Sequence, residues 1–105
     1  MGTVNVVLST ITNAATLQGL APLPDSMPVS AENVTSGATS AATTGTASAT
    51  VFKRQVWTVT SDTAVYIKFA ASPTATAGGD WYLPAGASRD FAVSVASEKV
   101  AVIDV

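Results

Sequence analysis

Hydrophobic and polar residues alternate along much of this 105-residue chain, with the period of a strand. Thr3-Val4-Asn5-Val6-Val7-Leu8 is short and β-branched and predicts a first strand. Val56-Trp57-Thr58-Val59-Thr60 predicts a second, and Ser61-Asp62 follows it as a turn. The run Ala64–Phe69 then sets Val65, Ile67 and Phe69 on one face and Tyr66 and Lys68 on the other. Two such runs around a short polar turn predict a hairpin. Trp81-Tyr82-Leu83 reads as a short strand and Pro84-Ala85-Gly86 as a turn. Arg89–Val95 alternates again, with Phe91, Val93 and Val95 on one face. Val100–Val105 is nearly continuously apolar, which predicts burial on both faces or in a subunit contact. No window carries a helical period with caps. Turns recur at a spacing of roughly 8–12 residues. The expected fold is all-β, a single small antiparallel β-sandwich or barrel.

The N-terminal third breaks the pattern. Residues 9–33 hold Pro22, Pro24 and Pro28, with Leu17, Leu20, Leu23 and Met27 scattered among them. Prolines at this spacing oppose both a helix and a ladder strand, so an extended arm or long surface loop is expected. The division is then an N-terminal strand and arm over 1–33 and a β domain over 34–105, folded together as one unit. Residues 35–50 contain nothing larger than Thr. They read as a linker, or as a strand on a tightly packed surface, and the strand reading is preferred for 44–50. All seven aromatics lie between residues 52 and 91, so the N-terminal half must pack onto the C-terminal half or onto another chain.

Composition narrows the chemistry. The chain has no Cys and no His. That removes disulfides, thiolate zinc sites, imidazole ligands and His-activated nucleophiles. A net charge of -2 offers no footprint for nucleic acid. No apolar run approaches the roughly 18 residues of a membrane span. Met1–Leu8 lacks the basic n-region of a secretory signal, so none is expected. Val6 stands where a myristoylation motif wants Ser or Thr. Asn33-Val34-Thr35 matches a glycosylation tripeptide but has no secretory context.

The remaining candidates are weak as chemistry. Asp25, Asp62, Asp80 and Glu98 stand at turn-like positions, where such residues satisfy nearby backbone. Gly78-Gly79-Asp80 lacks the Lys and the helix of a phosphate loop. Lys53-Arg54 splits across two strand faces and reads as a solvated or subunit-facing charge; Arg89-Asp90 splits likewise, with Asp62 and Glu98 as candidate partners on other strands. Trp57, Trp81 and Tyr82 could form a sugar-stacking platform, although core or interface anchoring suits them better. The expected interface residues are therefore Leu17, Leu20, Leu23 and Met27 of the arm, together with Trp57, Trp81, Tyr82 and Val102.

Charged residues make up only 11% of the chain, against about 25% in ordinary domains. Interface cores are depleted of charge, so a surface covered by other copies or by a lattice is expected. The stretches Ala64–Ala75, Gly78–Gly86, Arg89-Asp90-Phe91 and Lys99–Asp104 carry a resemblance consistent with this. Across residues 56–104 they resemble small structural proteins encoded among the head genes of tailed bacteriophages. That resemblance implies a non-enzymatic virion protein of the capsid decoration (cement) type, with no catalytic residues and no cofactor. It implies a homo-oligomer, a trimer by the family's habit, made in the host cytoplasm and bound to the major capsid protein at the capsid surface. A tail, neck or fibre-base component of the virion is the alternative, and a small carbohydrate-binding module the alternative from another class.

Overall fold

The computed structural model describes residues 2–16, 19–24, 26–47, 54–79 and 81–105, with the backbone alone described between 12 and 23. The strands are β1 (Thr3–Thr16), β2 (Gly19–Pro24), β3 (Ser30–Thr35), β4 (Ala41–Ala42), β5 (Gln55–Ser61), β6 (Val65–Ala70), β7 (Trp81–Leu83), β8 (Ser88–Ala92) and β9 (Lys99–Asp104). No helix occurs among the described residues. One sheet runs β3-β1-β5-β8, with β2 pairing the distal half of β1. The other runs β4-β9-β6-β7. Every pairing is antiparallel, and the two sheets pack as a small sandwich.

Alternation decides what lies between the sheets. Val4, Val6 and Leu8 of β1 point inward, as do Trp57 and Val59 of β5. Val65 and Ile67 of β6 and Val100 and Val102 of β9 meet them from the other sheet. The N-terminal half therefore packs onto the C-terminal half of its own chain, and β1 is a central strand. The expected division at 33/34 falls inside β3, whose Val34 joins this core.

The hairpin expected from Val56–Phe69 does not form. β5 pairs β1 and β8, whereas β6 pairs β7 and β9, so Ser61–Ala64 crosses from one sheet to the other. The crossing is held by third parties. The Thr3 N–H donates to Asp62 Oδ1 at 2.8 Å, and the Gly86 N–H donates to the Ser61 carbonyl at 2.8 Å. Gly2 lies against the Asp62 and Thr63 side chains with no room for a Cβ. Alternation places buried faces; it does not say which sheet receives them.

The arm is also more ordered than expected. Residues 9–16 continue β1, and β2 folds back on them with Ile11 opposite Pro24 and Thr16 opposite Gly19. β3 then pairs the proximal half of the same strand, with Leu8 opposite Ser30. Between β2 and β3 the described residues 26–28 lie outside the ladder as a bulge, and the Val29 N–H rejoins β1 by donating to the Leu8 carbonyl at 2.7 Å. The prolines are tolerated because β2 is an edge strand and Pro22 and Pro24 have the same parity. One orientation turns both missing donors away from β1. A 14-residue strand spans about 46 Å at roughly 3.3 Å per residue. That accounts for the 46 × 28 × 21 Å shape, and for a radius of gyration of 14.1 Å against about 13 Å for a compact chain of this length.

The small-residue stretch lies along β9 as a near-strand. The Thr43 N–H donates to the Val100 carbonyl, and the Ala47 N–H to the Glu98 carbonyl, each at 2.8 Å. Only Ala41–Ala42 is a strand there; 44–47 is not, and 48–50 lie outside the described residues. Side chains have replaced ladder bonds. Glu32 of β3 accepts the Thr44 N–H (2.8 Å), the Thr44 hydroxyl (2.8 Å) and the Gly45 N–H (3.1 Å).

Candidate functional site

The sandwich has two long edges, and only one is finished. At the β7/β8 edge the second sheet stops after three residues. Trp81 shares the inward parity of Leu83, yet Leu83 is 1% exposed and Trp81 is 56% exposed. The sheet ends too soon to cover it. Its indole lies 5.6 Å from the Phe91 ring of β8, and Phe91 lies 4.6 Å from Phe69 of β6. The Arg89 guanidinium sits 5.6 Å from the centre of the Trp81 ring, a cation–π distance. An open cleft of about 430 Å³ lies here, walled by Phe69, Trp81 and Phe91, with Lys68 and Ser94 at its margin. That volume falls in the range of about 300–1,000 Å³ of recognition sites.

The connection from β7 to β8 keeps this edge short. The Ala87 N–H donates to the Pro84 carbonyl at 3.1 Å, and Gly86 has φ of 77°. Gly at the third position of a tight turn supplies that positive φ without strain. The chain therefore leaves β7 and enters β8 within four residues, so this connection does not reach across the mouth.

The expected interface residues fall in different places. Met27 is 82% exposed, on the bulge between β2 and β3. Trp81 and Tyr82 are both exposed but face opposite ways, and Tyr82 packs on Tyr66 at 5.6 Å. Trp57 (1% exposed) and Val102 (0%) are core residues and leave the list of surface candidates. Leu20 and Leu23 lie on β2, opposite Ala15 and Thr12, and Leu17 lies outside the described residues. Trp57, Trp81 and Tyr82 thus share no platform on which a sugar could stack.

Each described acid that entered the sequence argument has a structural task. Asp62 holds Thr3, and Asp90 accepts the Thr58 hydroxyl at 2.7 Å. Glu98 is no surface turn residue. It is 1% exposed and accepts the Trp57 indole N–H at 2.9 Å. The basic residue of the Arg89–Asp90 pair turns to the Trp81 ring, where Asp62 or Glu98 had been the expected partners. Asp25, Asp80 and Lys53 lie outside the described residues. No cluster of three metal-ligating side chains occurs among the described residues, and no helix there is long and apolar enough to cross a membrane.

Sequence reasoning missed Phe69, Phe91 and Arg89 as members of one site. The alternation did mark Phe69 and Phe91 as inward-facing. What it lacked was the pairing that brings β6, β7 and β8 to one edge. No protein-family model, no curated protein and no solved structure matches this chain.

Proposed function

We propose that this chain is a non-enzymatic structural protein that works by being covered, a virion protein of the capsid decoration type acting as a homo-oligomer. The observation that supports the reading is where its exposed apolar side chains lie. Met27 (82%) and Val29 (53%) stand together on the bulge, and Trp81 (56%) stands beside Phe91 at the open edge; Tyr82, Val95 and Val105 are exposed as well. Scattered exposed hydrophobics are ordinary, but grouped ones mark interaction surfaces. The chain has few charges to keep such groups apart in solution. A decoration protein turns buried area into stability of the shell, at about 25 cal/mol per Å² of apolar surface less the costs of association.

The test is direct. Purified chain is mixed with assembled phage heads and sedimented, and the temperature at which the heads rupture is recorded. The expected result is saturable co-sedimentation and a raised rupture temperature. Failure to bind at any concentration, together with an unchanged rupture temperature, sinks the reading. Copies per virion, read from gel densitometry, separate a head protein (hundreds) from a neck or tail part (tens or fewer).

A further inference from the structure

Two apolar features of this chain are open among the described residues, and their chemistry is complementary. The first is the cleft of Phe69, Trp81 and Phe91. The charged side chains that line it or stack on its wall, among the described residues, are Lys68 and Arg89, both basic. The second is the bulge between β2 and β3, where Met27 stands 82% exposed between Ser26 and Pro28, with Val29 beside them. The segment carrying it has no basic residue, and Asp25 stands two positions from Met27 in the sequence. Residues 1–52 contain no Lys or Arg, and their charged residues are Asp25 and Glu32.

Met is an unbranched, polarisable side chain that packs well against aromatic rings. The neighbouring Pro28 restricts the backbone before binding, so less order is lost on docking. We propose that the bulge of one copy seats Met27 in the Phe69–Trp81–Phe91 cleft of a second copy, so that the basic Arg89 and Lys68 meet a segment that carries Asp25 and no basic residue. This rests on the homo-oligomer reading above. The contact joins two different surfaces, so each copy keeps one of each to offer. Contacts of that kind close into rings when the rotation allows, which accommodates a trimer.

The test uses sedimentation velocity on the full chain, with Met27→Lys, Met27→Glu and Arg89→Glu. Both positions are exposed, and circular dichroism verifies the fold of each variant. Wild type is expected to sediment as an oligomer. Met27→Lys is expected to weaken association by tenfold or more. Met27→Glu removes the same apolar contact but meets Arg89, so it is expected to weaken association several-fold less. Arg89→Glu combined with Met27→Lys is expected to recover part of the loss. Equal effects of Lys and Glu at position 27, or no recovery in the double variant, overturn the proposal. An oligomer indifferent to all three variants also overturns it and leaves self-association standing. A wild-type monomer at concentrations on the order of 100 µM overturns it as well. Shell binding, measured separately, then decides whether the decoration reading survives without it.

Discussion

The two edges of the sandwich are built from different chemistry. At the β3/β4 edge the sheets are tied by polar bonds among small residues. Glu32 takes three donors from Thr44 and Gly45, and the Asp104 N–H at the end of β9 donates to the Gly37 carbonyl just past β3. Ser36 and Thr43, at 1% and 4% exposure, show how tightly that seam closes. At the β7/β8 edge the sheets meet through aromatic rings, and the largest ring is left more than half in water. Hydrogen bonds are directional and saturate, so the polar seam has nothing left to offer. Apolar contact is non-directional, and an exposed ring still gains from any further burial. The difference says where the proposed partner would sit: on the edge that uses large side chains and leaves one of them in water.

The comparison can be attacked first at the core that both edges depend on. Trp57→Ala removes the largest buried side chain and takes the indole donor from buried Glu98. The expected loss is about 3–5 kcal/mol, and more if the carboxylate stays buried without that donor. Urea denaturation would read it as a fall in midpoint, and a midpoint within error of wild type would mean Trp57 is not the keystone. A smaller effect is expected at the polar seam. Glu32→Ala releases three donors on a partly exposed loop, for a loss of about 1–2 kcal/mol. Hydrogen exchange should quicken at Thr44 and Gly45 while the β7/β8 edge stays protected as before. Faster exchange at both edges would show that the two are one cooperative unit.

The legible part of this fold was the strands whose inner faces are built from large apolar residues. Val4-Val6-Leu8, Trp57-Val59 and Val65-Ile67 announce their faces because burial selects every second position. Partnership was not legible. The Ser61-Asp62 turn is as compatible with a crossing between sheets as with a hairpin, because its deciding bonds come from Thr3 and Gly86, distant in sequence. β2 was misread because proline opposes a ladder strand in general, while two prolines of one parity are acceptable on an edge. Glu98 was misread because its neighbours look like a turn. The indole that draws it inward is 41 residues away in the chain. The candidate site follows the same rule. Its rings were visible one at a time, and only pairing of β6 with β7, and β5 with β8, sets them around one cleft.

The smallest effect on the monomer is expected at the open edge, and it discriminates best. Trp81 is 56% exposed, so its ring contributes little to the fold of a single chain. Trp81→Ala should lower monomer stability by no more than about 1 kcal/mol, the scale of a surface change that gives up one aromatic pair and one cation–π contact. The same substitution should remove a wall of the cleft and abolish self-association, because a buried aromatic anchor carries a large share of interface energy. Tyr82→Ala is the internal control. Tyr82 is the next residue and similarly exposed, but it packs on Tyr66 on the opposite face of the sheet. If the open edge is the interface, Trp81→Ala disperses the oligomer and Tyr82→Ala leaves it intact, with both monomers melting within a few degrees of each other. If Tyr82→Ala disperses it equally, the partner sits on the outer face of the second sheet, and the contrast between the two edges says nothing about assembly. If Trp81→Ala unfolds the monomer, the edge was finished after all, by a ring whose exposed half conceals a larger share of the core than its neighbours suggest.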